Sequence, residues 1–147
     1  MKTLARGFTL IEMLIVLAIM GILLAIGVFN FQNFTAQQRV NEAQQVIAQT
    51  LNRARAEARK NSTNQLLTWT TTSISINGVA AKIPNGVTLA TSDFSTGLGY
   101  SAPYGRTIRT NGAILNSGGI FTLTGTMGKG ARVKVVGVTG KVIRDVL

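Results

Sequence analysis

Five carboxylates, Glu12, Glu42, Glu57, Asp93 and Asp145, make up the entire acidic inventory of this chain, which contains neither histidine nor cysteine. Absence of histidine removes the commonest general base and metal ligand. Absence of cysteine removes thiolate nucleophiles, zinc-thiolate sites and disulfides. The sequence therefore points to a non-enzymatic protein with no cofactor and no metal site. What chemistry remains is electrostatic: carboxylates meeting cations, and cations meeting anions.

Glu12 poses the sharpest question, because it stands at the head of an apolar run. From Met13 to Phe29 every side chain is uncharged, a length of about 25 Å as a helix. The uncharged continuation through Phe34 extends it toward the ~30 Å of a bilayer's hydrocarbon core. A charge at the centre of a membrane helix costs roughly 2.5–3.5 kcal/mol, so Glu12 needs a partner or a purpose. Lys2 and Arg6 precede the run and the next charge is Arg39, which puts the short leader on the cytoplasmic side. A secretory signal peptide would need a small-residue cleavage site after the run, but here the pattern passes directly into a further helix. A plain anchor gives Glu12 no purpose. A helix apolar on every face belongs in the core of a large protein or in a membrane, and this run is too long to be buried in so small a globule.

The other charges are mostly cations. Net charge is +10 with a pI near 11.3 although only 14% of residues are charged, so the excess reflects scarce acids. Such a balance suits nucleic acid or an anionic membrane surface as a partner.

The stretch "RGFTLIEMLIVLAIMGIL" resembles the class III signal of type IV pilins and type II secretion pseudopilins. The resemblance implies that a prepilin peptidase cuts between Gly7 and Phe8, that Phe8 is then N-methylated, and that Glu12 becomes the acidic fifth residue of the mature chain. It also implies the partners: other pilins or pseudopilins in a filament, the peptidase, an inner-membrane assembly platform and inner-membrane lipid. The implied location is the inner membrane, single-pass, with the C-terminal part outside the cytoplasm and later drawn into a periplasmic or extracellular filament. In this setting Glu12 acquires a partner, because cleavage creates an ammonium on Phe8. A carboxylate matched to an ammonium in a region of low dielectric recovers much of its desolvation cost. One departure stands out: many type IV pilins carry a proline where this chain has Phe29. Pro84 and Pro103 lie far downstream, so any local opening of the helix falls to Gly21 and Gly27, each costing about 1 kcal/mol relative to alanine. Close helix packing is the other reading of these glycines.

Beyond the apolar run, Val40, Ala43, Ile47, Leu51, Ala54 and Ala58 recur at three- and four-residue steps, which predicts an amphipathic continuation of the helix over 35–61. Arg39, Glu42, Gln45, Gln49, Arg53 and Lys60 fall largely on other faces, and "NSTN" ends the helix. The run "NRARAEARK" reads as a solvated helix end whose cations suit the C-terminal dipole, with anion binding as the other reading. Strand patterns follow: "LLTWTTTSISI" at 66–76, then Asn77-Gly78 and "VAAKI", a hairpin signal. Further strand patterns are "GVTLA", "RTIRT", "IFTLT", "ARVKVVGV" and "KVIRDVL". Between them, "DFSTGLGYSAPYG" at 93–105 reads as an irregular glycine-rich loop. The expected fold is α+β: a leader at 1–7, a membrane or filament-core helix at 8–34, its amphipathic continuation at 35–61, and an antiparallel β domain at 62–147.

The order "ARAEARK", "GGIFTLTG", "ARVKVVGVTGKVIR" resembles the GspH/FimT-like minor pilins and pseudopilins. That implies a two-sheet β domain and a low-copy place at or near a filament tip. Lack of cysteine argues against the disulfide-closed loop of many major pilins. FimT-like pilins of natural transformation also use a C-terminal Gly-Arg-x-Arg motif on DNA, which "GKVIR" matches imperfectly. Lys129, Arg132, Lys134, Lys141 and Arg144 are the candidate DNA or anion contacts, but Arg144 sits one residue late, on the opposite strand face from Lys141. Removing Lys2 and Arg6 leaves thirteen basic side chains against five carboxylates, a formal charge of +8.

Overall fold

The computed structural model describes residues 8–94 and 97–147. Gly7 and the rest of the expected leader lie outside the described residues, as do positions 95 and 96. The chain divides into two units, one ending at Thr35 and the other spanning Ala36–Leu147.

A single helix, α1, covers Leu10–Asn61. In the first unit its large apolar side chains, Leu10 through Phe34, are all exposed, and it is long and apolar enough to cross a membrane. The helix is unbroken at Gly21 and Gly27, and a Cβ added at either would meet nothing within 4 Å.

In the second unit α1 changes character. Val40, Ala43, Ile47, Leu51, Ala54 and Ala58 are completely buried, and Ala36, Gln44, Ala48 and Thr50 widen the stripe. Among the described residues, nine strands in two antiparallel sheets share its core. β1 (Gln65–Trp69), β2 (Ser73–Ile76), β3 (Val79–Lys82), β5 (Leu98–Ser101) and β6 (Arg106–Ile108) form one sheet in the order β3-β2-β1-β5-β6. β4 (Thr88–Ser92), β7 (Gly119–Thr124), β8 (Gly130–Val135) and β9 (Val142–Val146) form the other, in the order β4-β7-β8-β9. The architecture is the expected α+β arrangement with two sheets.

Alternation decides which face of each strand is buried. In β8, Ala131, Val133 and Val135 point inward while Arg132 and Lys134 are exposed. The three rings of Trp69, Phe94 and Phe121 meet with centroids 4.9–6.0 Å apart, within the usual range for edge and tilted pairs. Gln44 makes the polar tie between helix and sheet: its side-chain amide donates to the carbonyls of Arg132 (3.0 Å) and Asp145 (2.8 Å).

Two local expectations are corrected. Residues 66–76 are two strands rather than one, because Thr70 and Ser73 close a turn: the Thr70 amide donates to the Ser73 carbonyl at 2.8 Å, and the Thr70 hydroxyl accepts from the Ser73 amide at 3.1 Å. The Asn77-Gly78 turn joins β2 to β3, with φ of 47° and 87°, the left-handed pair of a two-residue hairpin. The glycine-rich stretch 93–105 is also not all loop. Its Leu98–Ser101 is β5, an inner strand paired with both β1 and β6. Gly99 serves close approach here, since a Cβ would lie 2.7 Å from the Gln65 carbonyl. Without a side chain it reads as a turn in sequence while acting as a strand in the sheet.

Leu51 is fully buried in the interface between α1 and the sheets. Leu51→Ala is expected to cost about 2–5 kcal/mol of stability, measured as a lower urea midpoint at an unchanged slope.

Candidate assembly segment and cationic surfaces

At its N-terminus, α1 opens on "TLIE". The Thr9 hydroxyl accepts a hydrogen bond from the Glu12 amide at 3.3 Å, and the Glu12 carboxylate accepts from the Thr9 amide at 3.5 Å. This reciprocal pair is a capping box, with Thr9 as the cap and Glu12 three residues on. Glu12 thus satisfies an otherwise orphaned backbone donor and places its negative charge in the first turn, where the helix dipole favours it. Thr9 is the residue sequence reasoning missed, although its signal, Thr-x-x-Glu ahead of an apolar run, was legible. Phe8, the expected new N-terminus, is 75% exposed. Gly7, on the other side of the expected scissile bond, is outside the described residues.

The five candidate anion contacts occupy different parts of the second unit. Lys129 is half-buried in the β7–β8 turn, whose Gly125 abuts Val40 of α1. Arg132 and Lys134 share the outer face of β8, where Asp145 and Ile143 of β9 stand directly opposite them. Arg144 is opposite Val133 instead, and with Val142 it lines a groove against Gln45, Ala48, Gln49 and Asn52 of α1. Lys141 lies in the β8–β9 turn. Val40 and Arg55, which mark the two turns along α1, are separated by about 22 Å of helix rise, so these cations do not form one patch.

A second group gathers where α1 ends. Gly105, in the β5–β6 turn, sits against the side chains of Arg55 and Arg59: a Cβ there would meet them at 3.0–3.2 Å. The β8–β9 turn comes to the same place, since a Cβ on Gly140 would meet the Tyr100 ring at 2.6 Å and the Gly105 carbonyl at 3.3 Å. Beside Gly105, the Arg106 guanidinium stacks on the Tyr104 ring at 5.4 Å from its centroid. Tyr104 is 70% exposed. Beneath, Tyr100 is fully buried, and its hydroxyl, like Nε of Arg55, has no hydrogen-bond partner among the described residues. Burial pushes the Tyr100 phenol up, only partly opposed by the nearby Arg55 guanidinium.

Comparison with known proteins bears on the N-terminal segment. Residues 2–28 match the Prokaryotic N-terminal methylation motif family. The chain is 54% identical over 43 residues to the type IV major pilin protein PilE1 of Neisseria gonorrhoeae, covering 29% of this chain and 26% of that protein. It is 54% identical over 41 residues to the type IV major fimbrial protein FimA of Dichelobacter nodosus, covering 28% and 26%. The match thus spans about a quarter of the length of these relatives. No solved structure gives a significant match. In its N-terminal segment the chain is similar to type IV pilins, carrying the methylation motif that a class III signal requires.

The buried phenol gives a pH test. Up to about pH 10 both folded and unfolded chains hold the Tyr100 proton; above that the unfolded chain releases it while the folded one keeps it, so stability falls as pH rises. In a Tyr104→Phe chain, where Tyr100 is the remaining tyrosine, tyrosinate absorbance at about pH 11 is expected only after unfolding with urea. Its appearance in the folded chain would show the phenol to be open to solvent.

Proposed function

We propose that this chain is a non-enzymatic minor pilin or pseudopilin of the GspH/FimT-like kind, assembled into a type IV pilus or a type II secretion pseudopilus at or near the tip. The observation that carries the reading is the methylation motif over residues 2–28, joined to an apolar helix whose first turn holds Glu12. Prepilin peptidase removes 1–7 by cutting between Gly7 and Phe8, and Phe8 is methylated. The segment 8–34 waits in the inner membrane with 35–61 and the β domain at 62–147 outside the cytoplasm, until the assembly platform extracts the subunit. In the filament, the Glu12 carboxylate of an incoming subunit meets the Phe8 ammonium of one already placed. The pair rewards one axial register, because a carboxylate left unmatched in that surrounding costs several kcal/mol.

Two other roles remain in view. The relatives are major pilins, which supports an abundant subunit, though their likeness is confined to the N-terminal segment. The excess of thirteen basic side chains over five carboxylates after processing favours a DNA-binding subunit as the second reading.

Mass spectrometry of the native protein is expected to find an N-terminus at methylated Phe8, and Glu12→Ala is expected to be processed normally yet enter sheared filaments at least about tenfold less. An intact leader would refute the processing, and normal incorporation of Glu12→Ala would refute the pairing.

A further inference from the structure

We infer that the nucleic-acid contact of this protein, if the second reading holds, is the surface at the end of α1 formed by Arg55, Arg59, Tyr104, Arg106 and Lys141, and not the outer face of the last hairpin. These residues come from three separate parts of the chain: the last turns of α1, the β5–β6 turn and the β8–β9 turn. Two glycines let the three parts close. Gly105 leaves room for Arg55 and Arg59, and Gly140 lies against both Tyr100 and the Gly105 carbonyl.

The chemistry of the group suits a phosphodiester strand. It contains no carboxylate. The neighbouring Glu57 is engaged by Arg53 on its own helix at 2.7 Å, and Asp93 follows β4, at the far edge of the other sheet from β9. Lys60 and Arg59 in the last turn offset the negative carbonyl end of α1, which would otherwise repel an anion. Three guanidinium groups supply forked donors that match phosphate oxygens. Tyr104, exposed and backed by Arg106, adds a ring on which a base can stack. The outer face of the last hairpin offers less. Asp145 stands opposite Arg132, Arg144 turns to the helix side, and no aromatic residue lies in β8 or β9.

The stacking ring makes a single strand the better ligand, because its bases are free to leave their own stack. An anionic bilayer shares the phosphate chemistry but has no bases for Tyr104.

The test uses the full chain in a nonionic detergent with fluorescent oligonucleotides, single-stranded and duplex, at about 50 and 150 mM salt. Binding that weakens with salt is expected. Arg59→Ala with Arg106→Ala should weaken it at least tenfold and flatten the salt slope, since each lost phosphate contact removes roughly 0.7–0.9 from it. Tyr104→Ala should weaken single-strand binding about fivefold or more and duplex binding less. Arg132→Ala with Lys134→Ala should change either less than about twofold. Loss of binding in the Arg132 and Lys134 variant alone would move the site to the hairpin, overturning this inference while leaving the second reading intact. No binding at the lower salt would overturn both. Capture by phosphatidylglycerol vesicles without capture of oligonucleotide would overturn the nucleic-acid assignment.

Discussion

Eighteen large apolar side chains from Phe8 to Phe34 find no cover among the described residues. At about 1.5–3 kcal/mol for each when buried, their exposure to water would cost on the order of tens of kcal/mol, more than the net stability of an ordinary domain. Cover must therefore come from outside this segment, from lipid or, in the proposed filament, from the helices of neighbouring subunits. Against that sum the cost of Glu12, roughly 2.5–3.5 kcal/mol, is too small to keep the segment out of a membrane. In the proposed assembly its effect is positional: the apolar run determines that the segment is buried, and the single charge discriminates among the ways of burying it.

The capping box sharpens this division. Within one chain Glu12 is already useful, since it and Thr9 satisfy each other's backbone donors. The proposed pairing with a neighbour's ammonium therefore competes with, or adds to, an existing local interaction. A carboxylate has about four acceptor positions, so one oxygen can accept the Thr9 amide while the other faces a cation. The box also holds the Glu12 side chain toward the first turn, which shortens the search for an external ammonium. In the proposed filament, helix start and intersubunit register are thus tied to the same two residues.

In the second unit the sequence was most readable where a period could be counted. The six apolar positions of the helical stripe are all completely buried, and Asn77-Gly78 makes the tight turn its residues require. Reading failed where a residue's role depends on a distant neighbour. Gly99 belongs to an inner strand because the Gln65 carbonyl needs the space, and nothing near position 99 in the sequence records Gln65. Leu67 and Trp69 alternate on odd positions and Ile74 and Ile76 on even ones, so the turn at Thr70–Ser73 is marked only by a change of phase inside a run of threonines. The box at Thr9 and Glu12 was local and legible, but the apolar run beside it drew the reading toward the charge alone.

The cations show the same limit in its most consequential form. Lys129, Arg132, Lys134, Lys141 and Arg144 cluster along the sequence, yet strand alternation and a helix rise of about 22 Å disperse them. Arg55, Arg106 and Lys141 are scattered along the sequence, yet two turns closing on glycines bring their segments to one place. Linear charge density is a poor guide to surface charge density in a sheet protein, because successive residues are sent to opposite faces. Turns at one end of a sandwich of strands do the reverse, gathering residues that the chain has kept apart. In this protein the end of α1 is where such turns meet, so charge and an exposed aromatic ring arise together there without any motif to announce them.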